Sequence, residues 1–313
     1  AAFHYMYGLE QTVSGWRWIM KRVMITGASG QLGKALYKYL VGNQKYELFL
    51  TRFSNPEGYI AQLDIADQAA VDAYVDEIKP DIIVNCAAMT AVDLCESEQD
   101  KAYRINALGP KYLAQAAERS GARLVHISTD YVFDGKSDRP YTEEDAPNPI
   151  NVYGKSKLAG EEYVRQFCSR HFILRVAWLY GEGKNFVKTM LNLARNNNVI
   201  RVVADQFGSP TSAYEVARLI AYLMETDKYG TYHASCEGYT SWYDFAVTIF
   251  EEAKIEAELE PIPTFEYPTP AKRPAYSVLD NKALRERHGY IMPDWKDALH
   301  VYMLELCSTI GAE

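Results

Sequence analysis

The sequence predicts an α/β fold, a doubly wound parallel sheet followed by a smaller C-terminal α/β substrate-binding domain, and three observations predict it. From Lys21 onward, short β-branched runs alternate with amphipathic helical stretches, the grammar of successive βαβ units. The runs are apolar almost throughout, as strands covered on both faces must be. The first of them feeds a glycine-rich turn that opens a helix, which makes the sheet Rossmann-like.

Taken in order, residues 1–20 read as an extension or a cloning remnant, because they lack the basic stretch and apolar run of a signal peptide; Met20 is placed to be an ordinary initiator. Strands are expected at Arg22–Thr26, Tyr46–Thr51, Asp81–Asn85, Arg123–Ser128 and Phe172–Ala177. The clearest helix is Ala102–Ser120, in which Ala107, Tyr112, Leu113, Ala116 and Ala117 cover one face. After Tyr180 the pattern loosens. Helices are expected at Phe186–Arg195, Tyr214–Met224 and Trp242–Ala253, with short strands near Arg201 and at Thr231–Ala234, the latter placed to rejoin the first sheet. Prolines and aromatics from Pro261 to Pro274 break regular structure, as in a loop that wraps a ligand or a plain linker. The expected division is therefore a dinucleotide domain over 21–180, with 200–240 returning to it, and a mainly substrate-binding part over 181–313, the two interleaved.

Composition removes several function classes. At 313 residues the chain has room for a large buried core, and its formal net charge of -8 argues against nucleic acid or an anionic membrane as partner. No apolar run approaches the ~18 residues that span a bilayer. The five cysteines are scattered and never paired as C-x-x-C, which fits reduced thiols in a cytoplasmic protein and gives no metal site.

Three stretches carry chemistry. Gly27-Ala28-Ser29-Gly30-Gln31-Leu32-Gly33 sits between strand and helix, where glycines let backbone approach a pyrophosphate. The second strand ends in Thr51-Arg52 followed by Ser54, without the acid that holds a ribose 2′-hydroxyl; this favours NADPH, with NADH left open and Arg52 otherwise an ordinary surface arginine. Asp64 is placed for the adenine amino group and Ile65 for its ring, or Asp64 caps the helix that follows. Small residues Cys86, Ala87 and Ala88, then Thr90, let a cofactor cross the strand ends, and polar Ser128-Thr129-Asp130-Tyr131 closes the fourth strand. Finally, Tyr153 and Lys157 fall one helical turn apart, so that an ammonium can draw a phenol of ordinary pKa ~10 toward the neutral range.

The combination G-A-S-G-Q-L-G, N-C-A-A, S-T-D-Y-V-F-D-G and Y-G-K-S-K resembles the extended short-chain dehydrogenase/reductase family, in its sugar-nucleotide branch. The similarity runs from Lys21 to the C-terminus and includes R-V-A-W-L-Y-G at Arg175, D-Q-F-G-S-P-T at Asp205, and Arg273-Pro274 with Ser277. It implies hydride transfer from NAD(P)H to C4 of a dTDP-linked 4-keto-6-deoxy sugar, yielding dTDP-L-rhamnose. By motif, Thr129 holds the keto oxygen, Tyr153 protonates it and Lys157 supports Tyr153 while holding the nicotinamide ribose. Asp130, Tyr131, Trp178 and Val92 then line the sugar site, Trp178 offering an aromatic face. A homodimer is left open, and no metal is assigned.

Two alternatives stand beside this. Dehydratases of sugar nucleotides carry Asp-Glu after the strand-end threonine, whereas here Tyr131 follows Asp130, which leaves another sugar-nucleotide reductase or an epimerase. The regulatory β subunit of methionine adenosyltransferase resembles the same family without acting as a catalyst, so fold alone does not certify chemistry.

Overall fold

The computed structural model describes residues 9–12, 15–18, 20–197 and 199–310. In the N-terminal segment, Leu9–Thr12 and Gly15–Trp18 pair as antiparallel strands; of the stretch read as an extension, residues 1–8, 13–14 and 19 lie outside the described residues.

Seven strands form the main sheet: β1 (Lys21–Thr26), β2 (Tyr46–Arg52), β3 (Ile60–Gln62), β4 (Ile82–Asn85), β5 (Arg123–Thr129), β6 (His171–Val176) and β7 (Gly230–His233). All neighbours are parallel and the order is β3-β2-β1-β4-β5-β6-β7. The direction of winding reverses between β1 and β4, so a crevice opens at the carboxyl ends of these two strands. Their interiors, such as Val23, Ile25, Ile82 and Val84, are fully buried, which is why these runs carry no polar alternation.

Helices cover both faces. On one side lie α1 (Gln31–Leu40) and α5 (Ala213–Leu223), whose Leu32, Leu36, Val216 and Ile220 pack on β1 and β6. On the other lie α2 (Gln68–Ile78), α3 (Gly109–Ser120) and α4 (Val152–Phe167), with Val71, Leu113 and Val164 over Met24, Ile83 and Leu124. Asp67, not Asp64, caps α2 by accepting from the Ala70 amide at 3.1 Å.

The helix expected over Ala102–Ser120 is interrupted. A short turn Gln99–Tyr103 passes into a π-helical segment, Arg104–Leu108, before α3 begins. The bulge carries buried Asn106, whose amide bonds both the N–H and C=O of Met89 and the Ser156 hydroxyl, while a Cβ on Gly160 of α4 would stand 2.3 Å from the Asn106 carbonyl. Alpha-helical periodicity places apolar residues correctly but does not register an inserted residue of this kind.

The smaller lobe gathers helices Phe186–Ala194, Trp242–Ala253 and Trp295–Ile310 around Val187, Phe245, Ile249 and Leu299. Two parallel strands, Val199–Val203 and Glu258–Ile262, flank it. Pro261 thus lies inside a strand rather than opening the loop; the ribbon has only two strands, and a proline is tolerated at such an edge. Of residues 200–240, the stretch 213–233 packs on the main sheet, whereas 199–203 belongs to the smaller lobe.

Candidate active site

A cleft of about 670 Å³ runs along the carboxyl edge of the sheet, from the glycine-rich turn to Trp178. Gly27 adopts φ 62°, and a Cβ there would meet the Ala87 amide nitrogen at 2.7 Å, so only glycine lets β1 turn this close to the end of β4. Gly30 precedes α1 without a capping side chain, which leaves the first N–H groups of that helix aimed at the cleft as an anion site. Gln31 and Leu32 line the cleft beside them. Gly33 does not: a Cβ there would stand 2.4 Å from the Gly27 carbonyl oxygen and 2.6 Å from Ala28 Cα, so its part is close packing of helix on turn.

Arg52 leaves β2 at the cleft wall, its Nε donating to the Ser54 hydroxyl at 2.7 Å and its guanidinium paired with Glu57. Asp64 and Ile65 face the same end; Asp64 accepts from the Ala66 amide at 2.9 Å and stands 3.6 Å from Arg104. Cys86, Ala87, Ala88 and Thr90 form the floor beyond β4. Burial pushes the Cys86 thiol up to about 12, which keeps it an unreactive small side chain.

Thr129, Asp130, Tyr153, Lys157 and Trp178 meet at the far end of the cleft. Thr129 ends β5, donates to Asp130 Oδ1 at 2.9 Å and accepts from the Tyr131 amide. Tyr153 starts α4, whose N-cap Asn151 accepts from the Gly154 amide at 2.8 Å. Burial raises the phenol pKa, opposed by a hydrogen bond with Thr129 and reinforced by the charge of Asp130. The phenol therefore keeps its proton at neutral pH and is an acid that lines the same cleft end as the Thr129 hydroxyl. Burial likewise pushes Asp130 up to about 6, with the neighbouring Ser277 and Thr129 hydroxyls opposing the rise.

Lys157 does not draw the phenol toward the neutral range: burial holds Tyr153 above its ordinary value, against the lowering expected from the ammonium. It lies on the helix face of Tyr153, but its ammonium donates to the Ile127 carbonyl at 2.6 Å and not to the phenol. Burial lowers its pKa to about 8, with Glu161 and Cys86 opposing. Trp178 lines the cleft wall. Its ring stacks on Trp242 with centroids 3.5 Å apart, and a Cβ on Gly208 would stand 2.4 Å from its Cε2, so the face nearest Trp242 is already covered. Val92 and Tyr131 stand outside the cleft wall: Val92 begins the helix Val92–Ser97, and Tyr131 packs edge-on against Tyr153 at 5.9 Å.

Several contributors escaped the sequence reading of the site. Asn106 and Asn151 fix the loop after β4 and the start of α4. Asp93 takes both guanidinium nitrogens of Arg273, at 2.7 and 2.8 Å, and so pins the loop before Pro274 to the helix after β4. A polar side chain inside an apolar helical pattern, such as Asn106, was a readable signal; the Trp242 contact, 64 positions away, was not.

A doubly wound sheet with a glycine-rich first turn, an open carboxyl-edge cleft and a tyrosine-lysine helix beside a strand-end threonine is the architecture of the extended short-chain dehydrogenases. Residues 20–307 match the family described as RmlD substrate binding domain, and the chain belongs to this family, the dTDP-4-dehydrorhamnose reductases. The chain is 44% identical over 293 residues to the dTDP-4-dehydrorhamnose reductase of Aggregatibacter actinomycetemcomitans, covering 90% of this chain and 97% of that one. It is similar to a crystal structure of a dTDP-4-dehydrorhamnose reductase from Clostridium acetobutylicum, with TM-score 0.87 and 47% identity over 91% of this chain and 99% of that one. The Bacillus anthracis dTDP-4-dehydrorhamnose reductase, solved in complex with NADP, gives TM-score 0.86 and 43% identity over 92% and 100% of the two chains.

Proposed function

We propose that this chain reduces the C4 ketone of a dTDP-linked 4-keto-6-deoxy sugar, forming dTDP-L-rhamnose, with NADPH as the reductant. One observation carries the reading: a proton-loaded Tyr153 phenol shares with Thr129 the end of a cleft that begins in a dinucleotide turn. The names of the relatives agree with it.

The residues present suit such a cofactor. Gly27 leaves no room for a side chain, the α1 terminus offers uncapped N–H groups, and Arg52 with Ser54 stands where a 2′-phosphate would be held. Asp64 and Ile65 serve the adenine, Cys86, Ala87, Ala88 and Thr90 the cleft floor beneath the nicotinamide end. When bound, the cofactor supplies a hydride to the carbonyl carbon. The Thr129 hydroxyl turns its one proton from Asp130 to the carbonyl oxygen, and Tyr153 gives that oxygen its proton as charge develops on it. Lys157, held by Ile127, presents its remaining donors to the nicotinamide ribose. Asp130 and Trp178 bound the sugar from the cleft wall, with Tyr131 fixing Tyr153 from behind.

The test supplies dTDP-4-keto-6-deoxy-L-mannose and follows oxidation of NADPH and NADH separately. Tyr153→Phe is expected to lower kcat by about 10³-fold, the scale of a lost general acid, while NADPH binding stays within threefold. Wild-type turnover in the phenylalanine variant sinks the assignment.

A further inference from the structure

Tyr153, Lys157 and Glu161 fall at i, i+4 and i+8 on α4, and the third of them has no place in the chemistry above. Its carboxylate is fully buried and takes four donors: Ser128 Oγ at 2.5 Å, Arg175 Nε at 2.9 Å, Arg175 Nη2 at 2.8 Å and Arg165 Nη2 at 2.6 Å. Each tie reaches a part of the site. Ser128 precedes Thr129 on β5, Arg175 is the last residue but one of β6, three before Trp178, and Glu161 itself rides on the helix of Tyr153 and Lys157.

We propose that Glu161 is a positioning residue for the reductase site, holding the strand end that bears Thr129 in register with the helix that bears Tyr153 and Lys157. The proposal rests on the reductase reading for its kinetic half and on this chain's own electrostatics for the other. A buried ion pair is poor evidence for stability, because desolvation offsets most of the attraction, and its best-attested use is to fix register. Glu161 fits that use, since the sheet ladder already sets Ser128 opposite Arg175, and one carboxylate ties both of these strand ends to a helix that reaches them through side chains.

The same carboxylate sets the charge of Lys157. Burial raises the Glu161 pKa, but Arg175, Arg165 and the Ser128 bond outweigh it, so Glu161 is an anion across the neutral range. The groups facing Lys157 are Cys86 from the end of β4, His126 from β5, and Tyr153 and Glu161 from its own helix, with Arg165 and Arg175 behind Glu161. Burial keeps His126 neutral, and burial keeps the Cys86 thiol protonated, which leaves Glu161 as the one anion favouring the ammonium among these groups. Removing that anion leaves Lys157 facing two arginines, so it loses its proton at lower pH.

Two variants and two measurements test this. Glu161→Gln keeps the shape and removes the charge; Ser128→Ala cuts the tie to β5 and leaves the arginine pair in place. With both variants checked for folding by circular dichroism, Glu161→Gln is expected to lower kcat at least tenfold with KM for the keto sugar within threefold, and to move the alkaline limb of the kcat profile to lower pH. Ser128→Ala is expected to lower kcat about threefold with the pH limb unmoved. Independently of turnover, ¹³C-lysine NMR should place the Lys157 titration midpoint about one pH unit lower in Glu161→Gln. Wild-type kcat and an unshifted Lys157 midpoint in Glu161→Gln overturn the proposal, and so does wild-type kcat in Ser128→Ala if Glu161→Gln does not fold. If the wild-type protein fails to reduce the keto sugar, the function reading fails, and the Lys157 midpoint still decides the role of Glu161.

Discussion

Arg52 releases β2 into the cleft between two partners of opposite consequence: the Ser54 hydroxyl orients its guanidinium, and the Glu57 carboxylate competes for it. A 2′-phosphate, with up to two negative charges and three terminal acceptor oxygens, displaces a solvent-exposed carboxylate from such a fork. Arg52→Ala is therefore expected to raise KM for NADPH about tenfold and KM for NADH less than threefold, in steady-state assays run with each cofactor; equal shifts would make Arg52 a bystander. At this scale the sequence was most legible where residue identity alone carries the chemistry. The strand-end Thr129 and the helix-borne Tyr153 meet as their motifs imply. It was least legible where the partner is backbone or remote. No side-chain pattern reveals that Lys157 bonds the Ile127 carbonyl, or that the third glycine of the turn, Gly33, serves packing against Gly27 and Ala28.

Helix α4 carries more of the site than any other element, and its entry is fixed from three directions. Asn151 Oδ1 accepts from the Gly154 amide while its Nδ2 donates to the Lys272 carbonyl, and Glu96 accepts from the Val152 amide at 2.8 Å. The cap thus couples the position of Tyr153 to the loop that Asp93 and Arg273 hold in place. Asn151→Ala removes both bonds and is expected to cost about 1–2 kcal/mol in urea unfolding, with a fall in kcat that exceeds any change in NADPH affinity. Asn151→Asp keeps the cap but turns an acceptor toward the Lys272 carbonyl, and should restore only the part of the stability that the cap carries. The helix was readable from Y-x-x-x-K and its flanks, because capping and apolar spacing are local. The helical run before α3 was readable only as a single rod; the Asn106 bulge answers to Met89 and Ser156, contacts that local periodicity does not encode.

Across the whole molecule, buried histidines tie stability to acidity. His233, on β7, donates from Nδ1 to the Asp280 carbonyl and accepts from Arg175 at Nε2, so the fold demands its neutral form. Burial, with Arg175 second, lowers its pKa to about 3. Between that value and the unfolded ~6.5 the unfolded chain binds the extra proton, so the contribution is whole above pH 7 and falls as pH drops toward 3, by about 1.4 kcal/mol per unit. Unfolding free energy in urea is accordingly expected to be about 2 kcal/mol smaller at pH 5 than at pH 7 from this residue. His233→Asn, whose amide nitrogen keeps the bond to Asp280, should flatten that slope, and an unchanged slope would assign it elsewhere. The parallel sheet as a whole was legible from its apolar runs, yet the interleaving of the two lobes was visible only in outline, because it depends on which distant edge a short strand such as Gly230–His233 reaches. That placement sets an order of events in synthesis. The chain leaves the sheet at Val176, builds part of the smaller lobe, and supplies the partner of β6 only when Gly230 emerges. Until then the outer edge of a Phe-Ile-Leu strand lacks the neighbour that covers it in the mature sheet, and an unpaired edge of this kind is a template for wrong pairing.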